Sequence, residues 1–170
     1  MAPPPLPCTV LPCTEASDND APGSYSMQLV PSHRRELQTL VSTVAGLTSA
    51  LANRAVSRIV LASGTYYLTA ELSITRSVVL EAAVAGSVIL DAQTSSASHS
   101  RVNINPGPSG VVQLIGLNIT KGNAQNGGGV FIQGGTVTIL SCTISGNLAY
   151  WGGGARQVET GPMAPVRIVL

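Results

Sequence analysis

VVQLIGLNITKGNAQNGGGV (Val111–Val130) is followed by TVTILSCTISGNLAYWGGGA (Thr136–Ala155), and the second phrase nearly restates the first. Setting Val112 on Val137 puts Leu114 on Ile139, Leu117 on Cys142 and Ile119 on Ile144. The same shift of 25 residues lays Gly127, Gly128 and Gly129 on Gly152, Gly153 and Gly154. Between these anchors the letters slip by one, because Gly122 and Asn123 match Gly146 and Asn147 at a shift of 24. The slip predicts a corner whose turn gains a residue after the Asn. Self-similarity with a period of roughly 20–50 residues marks a stacked repeat architecture.

Alternation within the phrase says how the units stack. Leu117 and Ile119 point one way, Asn118 and Thr120 the other. A unit of this length holds two or three short strands with sharp corners and cannot close a core alone. Units stacked in parallel about 4.8 Å apart can, with like residues above like. The predicted fold is therefore all-β, a parallel β-helix. Asn123 and Asn147 are expected at one corner, their amides bonding each other and the backbone, since Asn tolerates left-handed conformations. Gly127, Gly128, Gly129, Gly152, Gly153 and Gly154 are read as structural turns that allow close backbone approach. No Lys-Ser or Lys-Thr follows them, so they do not form a phosphate-cradling loop.

Upstream, Leu37, Leu40, Val41, Val44, Leu47 and Leu51 recur mostly at three- and four-residue steps after a candidate N-cap, Ser32. This predicts an amphipathic helix over residues 32–57 that covers the exposed edge of the first coil. Gly46 inside it costs roughly 1 kcal/mol relative to Ala. Short apolar runs follow at Arg58–Leu61, Tyr66–Leu68, Leu72–Ile74, Val78–Leu80 and Val88–Leu90, too closely spaced for a hairpin meander. Residues 94–100 read as a polar loop. The β-helix is thus predicted over residues 58–170, with roughly 4–5 coils. Residues 1–31, rich in Pro, Ser and Asp, read as a disordered leader with no secretory signal pattern. Beyond Gly154, RQVE and VRIVL supply pieces of a further strand, but GPMAP interrupts them. That break predicts a truncated array whose C-terminal edge pairs with missing coils or a partner.

Composition narrows the function. Only 10% of residues are charged, and the net charge of +1 makes no electrostatic case for nucleic acid. No apolar run reaches the ~20 residues of a spanning helix. Cys142 takes the place of Leu117 and reads as a small buried residue, while Cys8 and Cys13 are left open as a pair. His33 and His99 lack ligand spacing with any cysteine, and no metal or cofactor is assigned. The eight acids are Glu15, Asp18, Asp20, Glu36, Glu71, Glu81, Asp91 and Glu159, so none falls between Ala92 and Val158. Hydrolytic acid–base chemistry needs two carboxylates facing one bond. Glu71, Glu81 and Asp91, with Arg76 or Arg101, form a site only if they converge on one face; otherwise they are solvated charges at turns. Among the aromatics, Tyr66, Tyr67, Tyr150 and Trp151 are candidates for exposure. Tyr150 and Trp151 sit at a corner, where they either stack on sugars or pack on a neighbouring loop. Asn118-Ile119-Thr120 is an N-glycosylation sequon on the outward face.

GLNITKGNAQNGGGVFIQGGTVTILSCTISGNLAYWGGGA (residues 116–155) resembles the repeats of right-handed parallel β-helix proteins with the pectin-lyase-like fold. It looks most like the arrays of polymorphic-outer-membrane-protein-like and adhesin-like surface proteins, with their Ile-Ser-Gly-Asn corner and Gly-Gly-Gly-aliphatic turn. IVLASGTYYLTAELSITRSVVLEAAVAGSVILDA (residues 59–92) is similar to the first coils of such proteins, which a helix commonly caps. The resemblance implies a right-handed solenoid at the cell surface or outside the cell. It further implies a non-catalytic adhesive or structural role, with a polysaccharide or another surface protein as partner. Two alternatives stay open: a fragment of a polysaccharide lyase or hydrolase, and a carbohydrate-binding module. A fold of this kind hosts many activities, so the chemistry must come from the site.

Overall fold

Four successive turns of chain lay short strands into four sheets. In the computed structural model, the residues described are 37–93, 99, 100, 102–157 and 166–169. The first turn holds β1 (Leu37–Val41), α1 (Val44–Ala52), β2 (Val56–Leu61), β3 (Gly64–Tyr67) and β4 (Leu72–Ile74). The second holds β5 (Val78–Ala82), β6 (Val88–Asp91), β7 (His99–Ser100) and β8 (Val102–Ile104). The two quoted phrases supply the third, β9 (Val111–Ile115), β10 (Leu117–Thr120), β11 (Asn123–Asn126) and β12 (Val130–Ile132), and the fourth. That fourth turn is β13 (Thr136–Leu140), β14 (Thr143–Ile144), β15 (Leu148–Trp151) and β16 (Ala155–Gln157), after which β17 (Val166–Val169) lies on β13. The leader, Ser32, Cys8, Cys13, His33, Arg101 and Gly161–Pro165 lie outside the described residues.

The sheets run in the order β1-β2-β5-β9-β13-β17, β14-β10-β6-β3, β15-β11-β7 and β16-β12-β8-β4. Non-consecutive strands are neighbours because each strand pairs with its counterpart one turn away, and the result is a parallel β-solenoid of about four turns. One pairing departs from this: β7 runs antiparallel to β11, with Ser100 opposite Asn123 and His99 opposite Ala124. The stretch read as a polar loop therefore contributes a short strand.

Stacking in register builds the core. Ile59 pairs with Leu80, Leu80 with Leu114, and Leu114 with Ile139, giving one aliphatic row through all four turns. Tyr66, Leu90, Ile119 and Ile144 make a second row, and Leu72, Val102, Val130 and Ala155 a third. Tyr66 was expected among the exposed aromatics. It is instead buried, its hydroxyl donating to the carbonyls of Val41 (2.8 Å) and Ala62 (3.0 Å), while Tyr67 faces outward. Strand alternation decides which of two adjacent tyrosines enters the core.

The helix is shorter than its periodicity suggests. Leu37–Val41 is a strand that pairs in parallel with Val56–Leu61, and Leu37 and Leu40 are 54% and 67% exposed. They do not belong to a buried helical stripe. Two features explain the outcome: the Thr- and Val-containing segment favours strand, and the open edge of β2 offers it a ladder of backbone partners. Thr43 rather than Ser32 is the N-cap, with extended backbone and an Oγ1 that accepts from the Gly46 N–H at 3.1 Å. Only Leu47 and Ala50 of α1 are fully buried, with Val44 and Leu51 packed beside them.

The other end of α1 is held by the charged side chain of Arg76, 25 residues beyond Leu51. Arg76 donates from Nη2 to the Ala50 carbonyl (2.9 Å), from Nε to Leu51 (2.8 Å), and from Nη1 to Val56 (2.6 Å) and Ser77 (3.1 Å). Helix C-termini leave carbonyls without intrahelical partners, and one planar guanidinium satisfies two of them here. Burial, and then the neighbouring Arg54 charge, pull the Arg76 pKa below the ordinary arginine value. We expect Arg76→Ala to cost about 2 kcal/mol in urea-induced unfolding, within the range for charged hydrogen bonds. Arg76→Lys should recover only part of it, because an ammonium cannot reproduce the fork.

Candidate functional site

Most of the predicted site residues lie in the third and fourth coils. The chain turns at the same places in both coils: Gly116 and Ser141, Lys121 and Gly146, and Gly127 and Gly152 all have φ between 50° and 68°. Each pair is separated by the register of the flanking strands, in which Ile119 meets Ile144 and Asn126 meets Trp151. The register thus runs unbroken through the corner, and the turn gains no residue. The letter slip between Asn123 and Asn147 has another cause. Asn123 stands opposite Leu148, and Asn147 lies over Gly122.

That displacement gives Asn147 work in the coil below. Its Nδ2 donates to the Ile119 carbonyl (3.0 Å) and its Oδ1 accepts from the Gly122 N–H (2.8 Å). The expected Asn123–Asn147 amide stack is replaced by one amide clasping a backbone corner. Backbone bonds from Lys121 N–H to Gly146 O (3.2 Å) and from Leu148 N–H to Gly122 O (2.7 Å) hold the register that makes this reach possible. At the glycine turns, the Gly127 N–H donates to Trp151 O (2.9 Å) and the Val130 N–H to Gly154 O (3.0 Å).

The three acids considered as a reactive cluster do not converge. Glu81 lies on β5 in the first sheet and is paired with Arg58, whose Nε donates to Oε2 at 2.9 Å. Glu71 precedes β4 and accepts from Asn103 Nδ2 at 2.6 Å. Asp91, at the end of β6 in a different sheet, accepts from Lys121 Nζ (2.7 Å) and from the Gln93 N–H (2.8 Å). Glu81 and Asp91 thus sit on strands of different sheets, Glu71 lies just outside a strand of another, and each carboxylate has its own partner. Arg76, their proposed basic partner, is committed to α1. Among the described residues no three His, Cys, Asp or Glu side chains group as metal ligands. A groove of about 440 Å³ between β1 and α1, lined by Thr39, Ser42, Thr43, Ser49 and Asn53 among others, holds no ionisable side chain.

The Asp91–Lys121 pair makes the fold pH-sensitive. Burial pushes the Asp91 carboxyl up, but the Lys121 hydrogen bond, the Gln93 N–H and the Lys121 charge together outweigh it and hold the pKa below the usual carboxylate value. A depressed folded-state pKa stabilises above the unfolded value and loses that contribution as pH falls through the folded one. Wild type should therefore lose stability relative to Asp91→Asn on acidification below about pH 4, and the two unfolding curves compared from neutral to acid pH should converge. Curves that stay parallel would contradict the pairing.

Tyr150 and Trp151 lie on β15, an edge strand of its sheet among the described residues, and are 84% and 61% exposed. Their rings meet edge to face, with centroids 5.9 Å apart and planes at 63°. Leu148, on the same strand, is exposed as well. The strand below carries Asn123 opposite Leu148 and Asn126 opposite Trp151, so polar positions in one coil become large apolar ones in the next. Arg156 donates to Asn126 Oδ1 beside this strand. Asn118 is half-buried and its Nδ2 donates to the Gly86 carbonyl at 2.8 Å, which commits the amide of the sequon to a turn. Cys142 is buried under Leu117, whose N–H it accepts at 3.4 Å, and burial pushes its thiol pKa up despite backbone hydrogen bonds. It is the small core residue that its alignment on Leu117 suggests.

No protein-family model matches the chain, and no curated protein or solved structure matches it either.

Proposed function

We propose that the chain is a non-catalytic β-helix module with an adhesive or structural role at a cell surface, of the right-handed pectin-lyase-like kind its repeats resemble. One observation carries the reading: at a single register the outer positions change from Asn123 and Asn126 to Leu148 and Trp151, with Tyr150 beside them. Exposed aromatics are costly to leave in water without a use, and their faces suit sugar rings or apolar protein surface. The described acids of the coils support the same reading, because Glu71, Glu81 and Asp91 are each engaged in holding a strand or corner.

Trp151 is the sole tryptophan, so its fluorescence reports on this strand alone. A polysaccharide and cell-surface panel should produce ligands that shift Trp151 emission, and Tyr150→Ala/Trp151→Ala should abolish that binding as measured by isothermal titration calorimetry. The double variant should keep its unfolding midpoint, since substitutions of exposed side chains stay within about 0.5 kcal/mol. Release of unsaturated uronides or new reducing ends by the purified protein would overturn the non-catalytic reading. Binding that survives the double variant would overturn the choice of surface.

A further inference from the structure

Asn126 is the one asparagine in the sequence that is followed by glycine. That glycine has a structural cause. Gly127 turns at φ 56°, and a Cβ there would lie 2.5 Å from the Val130 carbonyl oxygen and 3.2 Å from Phe131 Cα. The asparagine has no such cause, because its stacked counterpart is Trp151, followed by Gly152 at φ 68°. The turn demands a glycine and accepts either side chain before it. In the third coil it leaves a side-chain amide next to a backbone nitrogen that no Cβ shields.

Such a pair can close on itself. The Gly127 nitrogen attacks Asn126 Cγ, and the Cγ–Nδ2 bond breaks. Nδ2 leaves as ammonia, carrying the proton that Gly127 gives up through solvent. The five-membered imide then takes up one water at either carbonyl. The product is an aspartate at 126 or its isomer, joined to Gly127 through the side-chain carboxyl. Water is the sole co-reactant, and nothing is oxidised or reduced.

The stacked coils hold this reaction off. A parallel strand has ψ of about +115°, which turns the next nitrogen away from the side chain. Ring closure needs both on one side and in contact. Asn126 is a strand residue opposite Trp151, and the Gly127 N–H donates to the Trp151 carbonyl at 2.9 Å. Arg156 holds the side chain by donating to Asn126 Oδ1. On the other flank of β11, β7 pairs only with Asn123 and Ala124. The described strand that fixes Asn126 is therefore β15, an edge strand of its sheet among the described residues. Edge elements open locally at a lower free energy than the core does.

We infer that Asn126-Gly127 is a deamidation site kept shut by β15, intact while the two strands are paired and converted once β15 lifts away. Conversion is irreversible. It puts a carboxylate beside Arg156 and opposite Trp151, within a stretch, residues 92–158, that otherwise holds no acid. The isomer also lengthens the backbone and so cannot re-form the ladder. The inference goes beyond the adhesive reading and stands whether or not Trp151 meets a ligand.

The test ages the full chain in mildly alkaline buffer and follows residue 126 by peptide mass spectrometry, with isoaspartyl methyltransferase labelling to identify the isomer. The native protein should convert at least several-fold more slowly than the protein in denaturing urea. Leu148→Pro removes the N–H that donates to the Gly122 carbonyl at 2.7 Å and so unpairs β15. It should convert at least several-fold faster than wild type, while the amides of residues 112–114 and 137–139 keep wild-type hydrogen exchange. If the variant loses protection of those core amides, a low-urea series on wild type decides. Conversion should then rise with exchange of the Gly127 amide, ahead of residues 112–114. No conversion in urea, equal native and unfolded rates, or a Leu148→Pro protein as slow as wild type would overturn the proposal. So would conversion that rises only with the amides of residues 112–114, because the whole fold and not β15 would then be the lock.

Discussion

Leu114→Ala is expected to lower the unfolding free energy by about 3–4 kcal/mol, measured by urea denaturation. Leu114 has no solvent exposure and lies between Leu80 below and Ile139 above, each buried in the same row. Core Leu→Ala changes cost roughly 2–5 kcal/mol, more where the surroundings cannot collapse into the space. Here they cannot easily do so. Backbone ladders fix β5 and β13 on either side of β9, so the cavity is held open by hydrogen bonds that have no reason to break. Leu148→Ala removes a side chain of the same size from an exposed position and should change stability by no more than about 0.5 kcal/mol. A Leu114→Ala loss as small as that of Leu148→Ala would mean that the rows are not packed as described.

Gly122→Ala is the second large effect, and it acts by addition rather than removal. Its Cβ would stand 1.8 Å from the Gly128 carbonyl oxygen and 3.1 Å from Asn147 Oδ1. The first contact is with backbone, which a side-chain rotation cannot relieve. Moving the corner would also break the Gly122 N–H bond to Asn147 and the Leu148 N–H bond to Gly122. Overpacking costs typically about 1–3 kcal/mol, and with two hydrogen bonds coupled to it a loss of about 3 kcal/mol is expected in the same denaturation assay. Asn147→Ala separates the two contributions, because it removes the clasp while leaving Gly122 in place. It should cost about 1–2 kcal/mol. A Gly122→Ala protein as stable as wild type would contradict the corner geometry.

How much of this was legible depends on how regular the coil is. The third and fourth coils could be read because their strands recur at a constant spacing, Leu114 to Ile139 and Ile119 to Ile144 alike. The first two could not be aligned by letter. In the same aliphatic row Ile59 is 21 residues from Leu80, and Leu80 is 34 from Leu114. Corners of different length absorb that variation without disturbing the stack, so the fold survives where the repeat does not. Alternation signalled the inward faces, yet it left open which of Tyr66 and Tyr67 enters the core.

The misread corner has an instructive cause. Lys121 and Ser141 take the left-handed positions that Gly146 and Gly116 take in the neighbouring coils. Nothing about a lysine or a serine advertises that conformation, and matching glycine to glycine therefore shifted the register by one. The side chain of Lys121 pairs with Asp91, a residue of the previous coil and invisible to any local pattern. The helix was overextended for a related reason. Leu37, Leu40 and Val41 do fall at helical steps, but a neighbouring strand edge outweighed a weak helical preference. For the candidate site, Tyr150 and Trp151 stand out in the sequence but read as corner residues, whereas both lie on strand β15, and nothing in the sequence marks Leu148 beside them. Its exposure follows only from its register opposite Asn123.

The central claim is that residues 111–157 form two adjacent parallel coils in one unbroken register of 25. Interstrand nuclear Overhauser contacts on the isotope-labelled protein test it most directly. The account predicts contacts joining Val112 to Val137, Leu114 to Ile139, Ile119 to Ile144, Asn126 to Trp151 and Val130 to Ala155, all in the same chain direction. A register that sets Asn123 opposite Asn147 in place of Leu148, or contacts whose order reverses along either strand, would contradict it.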